Sequence, residues 1–131
     1  MKALIIFLFI ATYSSCIPTK VVYSIKIENN SAVPIRCYLS YKLPDTTLEI
    51  EKPTLLNIVR PNETKFTFDN SIPWPNEIEK IPSGKLGIFV INEDTLLKYD
   101  WNYIRQNYKI LKRFEVTAND LIQNNNTITY Q

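Results

Sequence analysis

The chain has 131 residues, with 15 basic against 13 acidic side chains, two cysteines, two glycines and no histidine. A near-neutral balance gives no long-range field to draw in nucleic acid, and one domain is what this length holds. Without histidine the chain lacks the commonest general base, the usual partner of a nucleophilic Ser or Cys, and half of any Cys/His zinc site.

Met1 and Lys2 open with one positive charge, residues 3–11 carry none, and Thr12-Tyr13-Ser14-Ser15 lead into Cys16. A basic start, a short apolar run and small residues before a cut site read as an export signal. A spanning helix needs about 20 apolar residues, more than this run supplies. A cysteine directly after the small residues resembles the bacterial lipoprotein signal, which implies cleavage before Cys16 and acylation of its sulfur. The expected division is a signal at 1–15, a lipidated tether at 16–20 and one domain at 21–131. An ordinary signal peptide cut elsewhere is the alternative. Removing 15 of the 131 residues leaves 116, with 14 basic and 13 acidic side chains once Lys2 is gone.

An exported compartment permits disulfides, so Cys16 and Cys37 could pair; acylation of Cys16 would leave Cys37 a lone thiol. Cys37 sits in Ile35-Arg36-Cys37-Tyr38-Leu39-Ser40-Tyr41. Period-two alternation there puts Ile35, Cys37, Leu39 and Tyr41 on an apolar face, where a thiol acts as a small hydrophobe. Tyr38 then faces the other way, as a candidate binding residue.

The first strand is expected at 21–28, with Val21, Tyr23, Ile25 and Ile27 inward and Ser24, Lys26 and Glu28 outward. Asn29-Asn30-Ser31 and Pro34 turn the chain into a second strand at 35–42, which suggests an antiparallel hairpin. Residues 43–53 read as a polar loop, 55–59 as a third strand and 65–68 as a fourth, with Phe66 and Phe68 inward. Residues 69–82 carry three prolines and Pro73-Trp74-Pro75, so a loop with one helical turn near 76–80 is expected. Trp74 is either a lid packed on the domain or a second candidate binding residue.

Leu86-Gly87-Ile88-Phe89-Val90-Ile91 is continuously apolar, the mark of a strand covered on both faces. Asp100 is placed to cap a short helix at 101–108 with Trp101, Ile104 and Tyr108 on one side. A strand follows at 110–116. Thr117 and Asp120 have capping-box spacing, with Val116 and Leu121 at the spacing of a hydrophobic staple. Thr127-Ile128-Thr129-Tyr130 closes the chain as a strand. Seven short strands and two or three helical turns define an all-β class, an antiparallel β-sandwich of immunoglobulin-like or transthyretin-like kind. With two glycines, its tight turns must lean on Asn, Asp and Pro.

Few residues suggest chemistry. Glu49 with Glu51, and Asn92-Glu93-Asp94, read as solvated charges or caps rather than as an acid/base pair. Gly84 and Gly87 are isolated, so no phosphate-cradling loop is present. No catalytic residue, metal or cofactor is expected. The sequons at Asn29, Asn62 and Asn125 would be glycan sites in a secreted eukaryotic protein and coincidental in a bacterial one. Asp45-Thr46-Thr47 and Asp94-Thr95-Leu96 resemble the Asp-Thr pattern O-glycosylated in exported proteins of some Gram-negative gut bacteria, which makes Thr46 and Thr95 candidate sites.

Asp94-Thr95-Leu96, Trp101, Ile104-Arg105, Asn107-Tyr108, Ile110-Leu111-Lys112-Arg113-Phe114, Thr117, Asp120-Leu121 and Thr127-Ile128-Thr129-Tyr130 together resemble a family of small, uncharacterised lipoproteins from Gram-negative gut bacteria. Leu39-Ser40-Tyr41-Lys42-Leu43-Pro44-Asp45-Thr46 is similar to that family's early segment. Where members carry a Trp before the last strand, this chain has Asn126. The resemblance implies a compartment, the cell envelope, and no known activity. In such lineages surface display goes with acids just after the acylated cysteine. Ile17-Pro18-Thr19-Lys20-Val21-Val22-Tyr23 has none, which implies an outer-membrane anchor facing the periplasm. The function expected is a non-catalytic envelope lipoprotein, held to the membrane at Cys16 and contacting a protein or glycan partner but not nucleic acid. The alternatives are a carboxylate- or Tyr-dependent enzyme and a secreted eukaryotic glycoprotein with a Cys16–Cys37 bridge.

Overall fold

The computed structural model describes residues 20–131. The signal at 1–15, Cys16 and the tether up to residue 19 lie outside them. Six strands and four short helices follow in the order β1 (Tyr23–Asn29), β2 (Ile35–Ser40), β3 (Glu63–Asn70), α1 (Trp74–Glu79), β4 (Leu86–Asn92), α2 (Glu93–Lys98), α3 (Trp101–Gln106), β5 (Lys112–Val116), α4 (Ala118–Gln123) and β6 (Thr127–Tyr130). The strands make two three-stranded sheets, β3-β1-β6 and β2-β4-β5.

The sheets share one apolar core. Ile25, Ile27, Phe68 and Ile128 from the first meet Ile35, Cys37, Leu86, Ile88, Val90 and Val116 from the second. Trp74 and Ile78 of α1 and Leu121 of α4 join the same cluster. The continuous apolar run of β4 is the central strand expected: Ile88 and Val90 enter this core, while Phe89 and Ile91 enter a second one on the far face. That second core is roofed by Leu48, Trp101 and Ile104, with Leu96, Tyr99 and Ile110 at its margin. Among the described residues a third layer, built from α2, α3 and loop, thus covers one of the two sheets.

The local signals at the helix starts hold. Asp100 accepts a hydrogen bond from Tyr103 N–H at 2.9 Å and caps α3. Thr117 and Asp120 close a reciprocal capping box on α4, flanked by buried Val116 and Leu121. Among the described residues positive φ falls on Asn62, Asn125 and Asn126, besides Tyr108 and Gly84, so asparagine does stand in for scarce glycine.

Several expectations are corrected. β1 and β2 are not a hairpin, because each lies in a different sheet. Asn29 explains the divergence: its buried amide donates to the carbonyls of Val33 and Val59 at 2.8 and 2.9 Å and ties the turn across the sandwich. Residues 55–59 form no strand; a single antiparallel bridge, Ile35↔Val59, is what remains. The sandwich is not wholly antiparallel, since β6 runs parallel to β1. Phe66 does not face inward. A register shift between Ile25 and Lys26 leaves Thr67 without a partner, which breaks alternation and turns Phe66 outward under the Lys26 ammonium, 5.8 Å from its ring centroid. Val21 and Tyr41 lie beyond the strand ends and are exposed, and Tyr108 has left the helix with φ 48°.

Candidate functional site

Tyr38 and Trp74 are both buried, with relative exposures of 1 and 3%, so neither offers its ring to a partner. Tyr38 does leave the inner face, as alternation requires, but the third layer covers it. Its ring stacks on Phe89 at 4.8 Å and meets Trp101 edge-on at 6.0 Å, and burial pushes its hydroxyl pKa up. Trp74 closes one end of the main core and donates Nε1–H to the Phe68 carbonyl at 3.0 Å. Thr46 lies half-buried in a loop, its carbonyl accepting from the Tyr108 hydroxyl at 3.1 Å. Thr95 sits half-buried in α2. Glu93 is no solvated charge: it is buried and grips Arg36 with both oxygens, at 2.5 and 3.1 Å. Asn92 caps α2 through Asp94 N–H.

None of these residues lines the groove between β5 and β6. An open groove of about 560 Å³ lies where the two sheets end side by side, lined by residues of β5, α4 and β6. Its floor is apolar, from buried Val116 and Ile128 with Phe114 beside them, and the more exposed Glu115, Asp120, Asn124, Thr127 and Thr129 make a polar rim. The chain crosses here from one sheet to the other, because the β5–α4–β6 connection links the edge of one to the edge of the other.

Hydrogen-bond phase shows what those edges present. Ile35 exchanges backbone bonds with Val59, and the Cys37 carbonyl takes Leu56 N–H, so these β2 residues point away from β4. In an antiparallel ladder direction alternates by residue. Arg36, Tyr38 and Ser40 therefore bond β4 through Ile91, Phe89 and Gly87, which leaves Leu86, Ile88 and Val90 to bond Val116, Phe114 and Lys112 of β5. The Val90 carbonyl, taken by Leu111 N–H at 2.8 Å, has this direction. Arg113 and Glu115 are left with their backbone groups pointing off the free edge. On β6, Lys26 N–H reaches the Asn126 carbonyl and Asn30 N–H the Tyr130 carbonyl. Ile128 and Tyr130 thus face β1, and Thr129 faces off the sheet. One groove has unpaired main-chain donors and acceptors on both walls.

The rim carboxylates are fixed in role. Glu115 is held below the usual carboxylate range chiefly by its hydrogen bond to Lys85, with Arg113 adding to it. Asp120 is held low by the hydroxyl and N–H of Thr117, both on its Oδ2. At neutral pH both are anionic acceptors. The local sequence pattern marks Asp120 as a cap and both segments as strands, but not Glu115 or Thr129 as edge positions. The one local signal was the uncharged, β-branched Thr127-Ile128-Thr129 run, without the Lys or Pro that usually blunts an edge.

Among the described residues no three His, Cys, Asp or Glu side chains are grouped as a metal site, and no helix is long and apolar enough to cross a membrane. No family model matches the chain, and comparison with curated proteins and with solved structures finds none similar to it.

Proposed function

We propose that this chain is a non-catalytic lipoprotein of a bacterial cell envelope, anchored through acylated Cys16 and binding a partner at the groove between β5 and β6. The domain is read as a sandwich of immunoglobulin-like or transthyretin-like kind, held close to the periplasmic side of the outer membrane by a tether of a few residues. The observation that carries the binding reading is the groove itself: an apolar floor between two strand edges whose main-chain groups lack partners. Two further facts support the anchor over the alternative disulfide. Cys37 is a free thiol packed between the sheets, so Cys16 would have to enter the core to reach it. Asn29, the first sequon, has its amide committed inside the protein, which disfavours the glycoprotein reading.

Mass spectrometry of the mature N-terminus tests the anchor. A diacylglyceryl mass on Cys16 is expected, and Cys16→Ala should release the chain from membranes, because acyl chains hold at about 0.8 kcal/mol per buried CH₂. A free thiol, or a Cys16–Cys37 bridge, would refute it. Protease added to intact cells should spare the domain. For the binding role, a photo-crosslinking residue at Thr129 should give a discrete adduct in envelopes; the same residue at Phe66, on the opposite edge strand, should give none.

A further inference from the structure

We infer that the ligand of this groove is an extended polypeptide segment that adds a strand to the free edges of β5 and β6, with an apolar residue on the floor and a Lys or Arg beside Asp120. The inference rests on the groove being the binding site and names what fits it.

Glu115 on one wall, with Arg113 further along the same strand edge outside the groove lining, and Thr129 on the other wall present N–H and C=O groups directed off their sheets, and none has another backbone partner among the described residues. An extended chain carries donors and acceptors at the matching repeat, and no other common ligand does. Side-chain pockets then set specificity, because every second residue of an added strand points to the same side. Here that side is Phe114, Val116 and Ile128, which suits one aliphatic or aromatic residue.

Charge selects further. The lining holds two carboxylates and no cation. Glu115 is matched by Lys85 at 2.9 Å and by Arg113 at 3.3 Å. Asp120 uses Oδ2 for both of its bonds to Thr117, and Oδ1 has no partner among the described residues. A basic residue flanking the apolar one completes that carboxylate.

The outward phase of these residues gives an unusually clean probe. Proline lacks an N–H and is tolerated on an edge strand where that N–H faces solvent. Glu115→Pro and Thr129→Pro therefore remove no ladder bond within the protein, yet delete the donor an added strand needs. Glu115→Ala removes the Lys85 and Arg113 pairs while keeping the donor.

The test selects dodecapeptides from a random phage-displayed library on the full mature chain and measures their affinity for the variants. Peptides pairing an apolar residue with Lys or Arg should emerge. Their binding should weaken at least about tenfold in Glu115→Pro or Thr129→Pro and by no more than about threefold in Glu115→Ala. Asp120→Asn should weaken basic peptides more than neutral ones. N-methylation along a selected peptide should abolish binding at alternate residues, a readout that stands even if a proline variant fails to fold. Selection of no peptide would overturn the inference, as would binding indifferent to both prolines with no period-two N-methyl pattern. An envelope adduct at Thr129 that persists undiminished in Glu115→Pro, with no period-two N-methyl pattern in a selected peptide, would retain the groove as the binding site and reject strand addition.

Discussion

The outer face of the β2-β4-β5 sheet carries Tyr38, Phe89 and Ile91 beneath Leu48, Trp101 and Ile104. The outer face of the β3-β1-β6 sheet instead turns Lys26, Glu28, Phe66 and Thr129 toward solvent, with Phe66 73% exposed. Both sheets have three strands and share one core, so what separates them is the second face. A strand buried on both sides must be apolar without interruption, as β4 is; one buried on a single side alternates, as β1 does. The covered sheet gains a second hydrophobic contribution, and the open sheet leaves its partnering to the edges. That places β4 at the stability centre of the molecule and leaves β6 at a free edge.

The largest expected effect breaks this contrast at its covered face. Phe89→Ala should cost about 3–5 kcal/mol, because it empties a stacked position with no solvent to relax into. Phe66→Ala, a ring of the same size on the open sheet, should change stability by no more than about 0.5 kcal/mol. Urea unfolding of the two variants measures both. Equal losses would mean that the outer face of β3-β1-β6 is itself covered.

The same contrast explains what was legible in the sequence. Continuous apolarity in residues 86–91, the Asp100 cap and the Thr117–Asp120 box are local signals, and each was found where expected. Tyr38 shows the limit. Alternation put it correctly on the face away from Cys37, but nothing local says that Trp101, 63 positions on in the chain, will cover that face. Phe66 fails for a different reason: one unpaired residue in β3 reverses the phase, and no turn residue marks the shift. The groove was least legible of all. Its walls are edges only because Lys26 pairs with Thr127 and Leu86 with Val116, pairings between strands distant in the chain that the pattern of neither strand encodes.

A smaller effect sharpens the contrast at the shared core. Cys37 is buried between the sheets, and burial pushes its pKa from 9.0 up to about 12. Cys37→Ser places a hydroxyl there without a partner and should cost about 1–3 kcal/mol. The thiol also makes stability fall with alkali. Above pH 9.0 the unfolded chain loses this proton while the folded chain keeps it, so unfolding is favoured by up to about 1.4 kcal/mol per pH unit until the folded group titrates. Cys37→Ala should remove that component of the alkaline decline. Rapid reaction of the folded protein with a thiol reagent at neutral pH would contradict the burial.

The smallest effect concerns α4, the turn and a half of helix that joins the edge of one sheet to the edge of the other. Its Thr117 side chain accepts Asp120 N–H at 3.2 Å, and Asp120 Oδ2 takes the Thr117 N–H at 2.8 Å. Thr117→Ala removes one half of the box and should cost about 1 kcal/mol. Because Thr117 holds the Asp120 carboxyl below its usual range, the native chain has stability that is present above the ordinary Asp value and lost as the pH falls through the folded one. In Thr117→Ala the main-chain bond and the Lys85 charge are left to sustain that shift, so the acid side of the stability profile should flatten while the alkaline side, to which Cys37 contributes, stays as it was. Leu121 anchors the helix in the shared core, so the walls of the groove should keep their places and the selected peptides should bind with little change. Thermal unfolding between acid and neutral pH, with peptide affinity measured alongside, separates the two: a peptide lost together with the acid limb would show that the box, rather than the core, sets the spacing between β5 and β6.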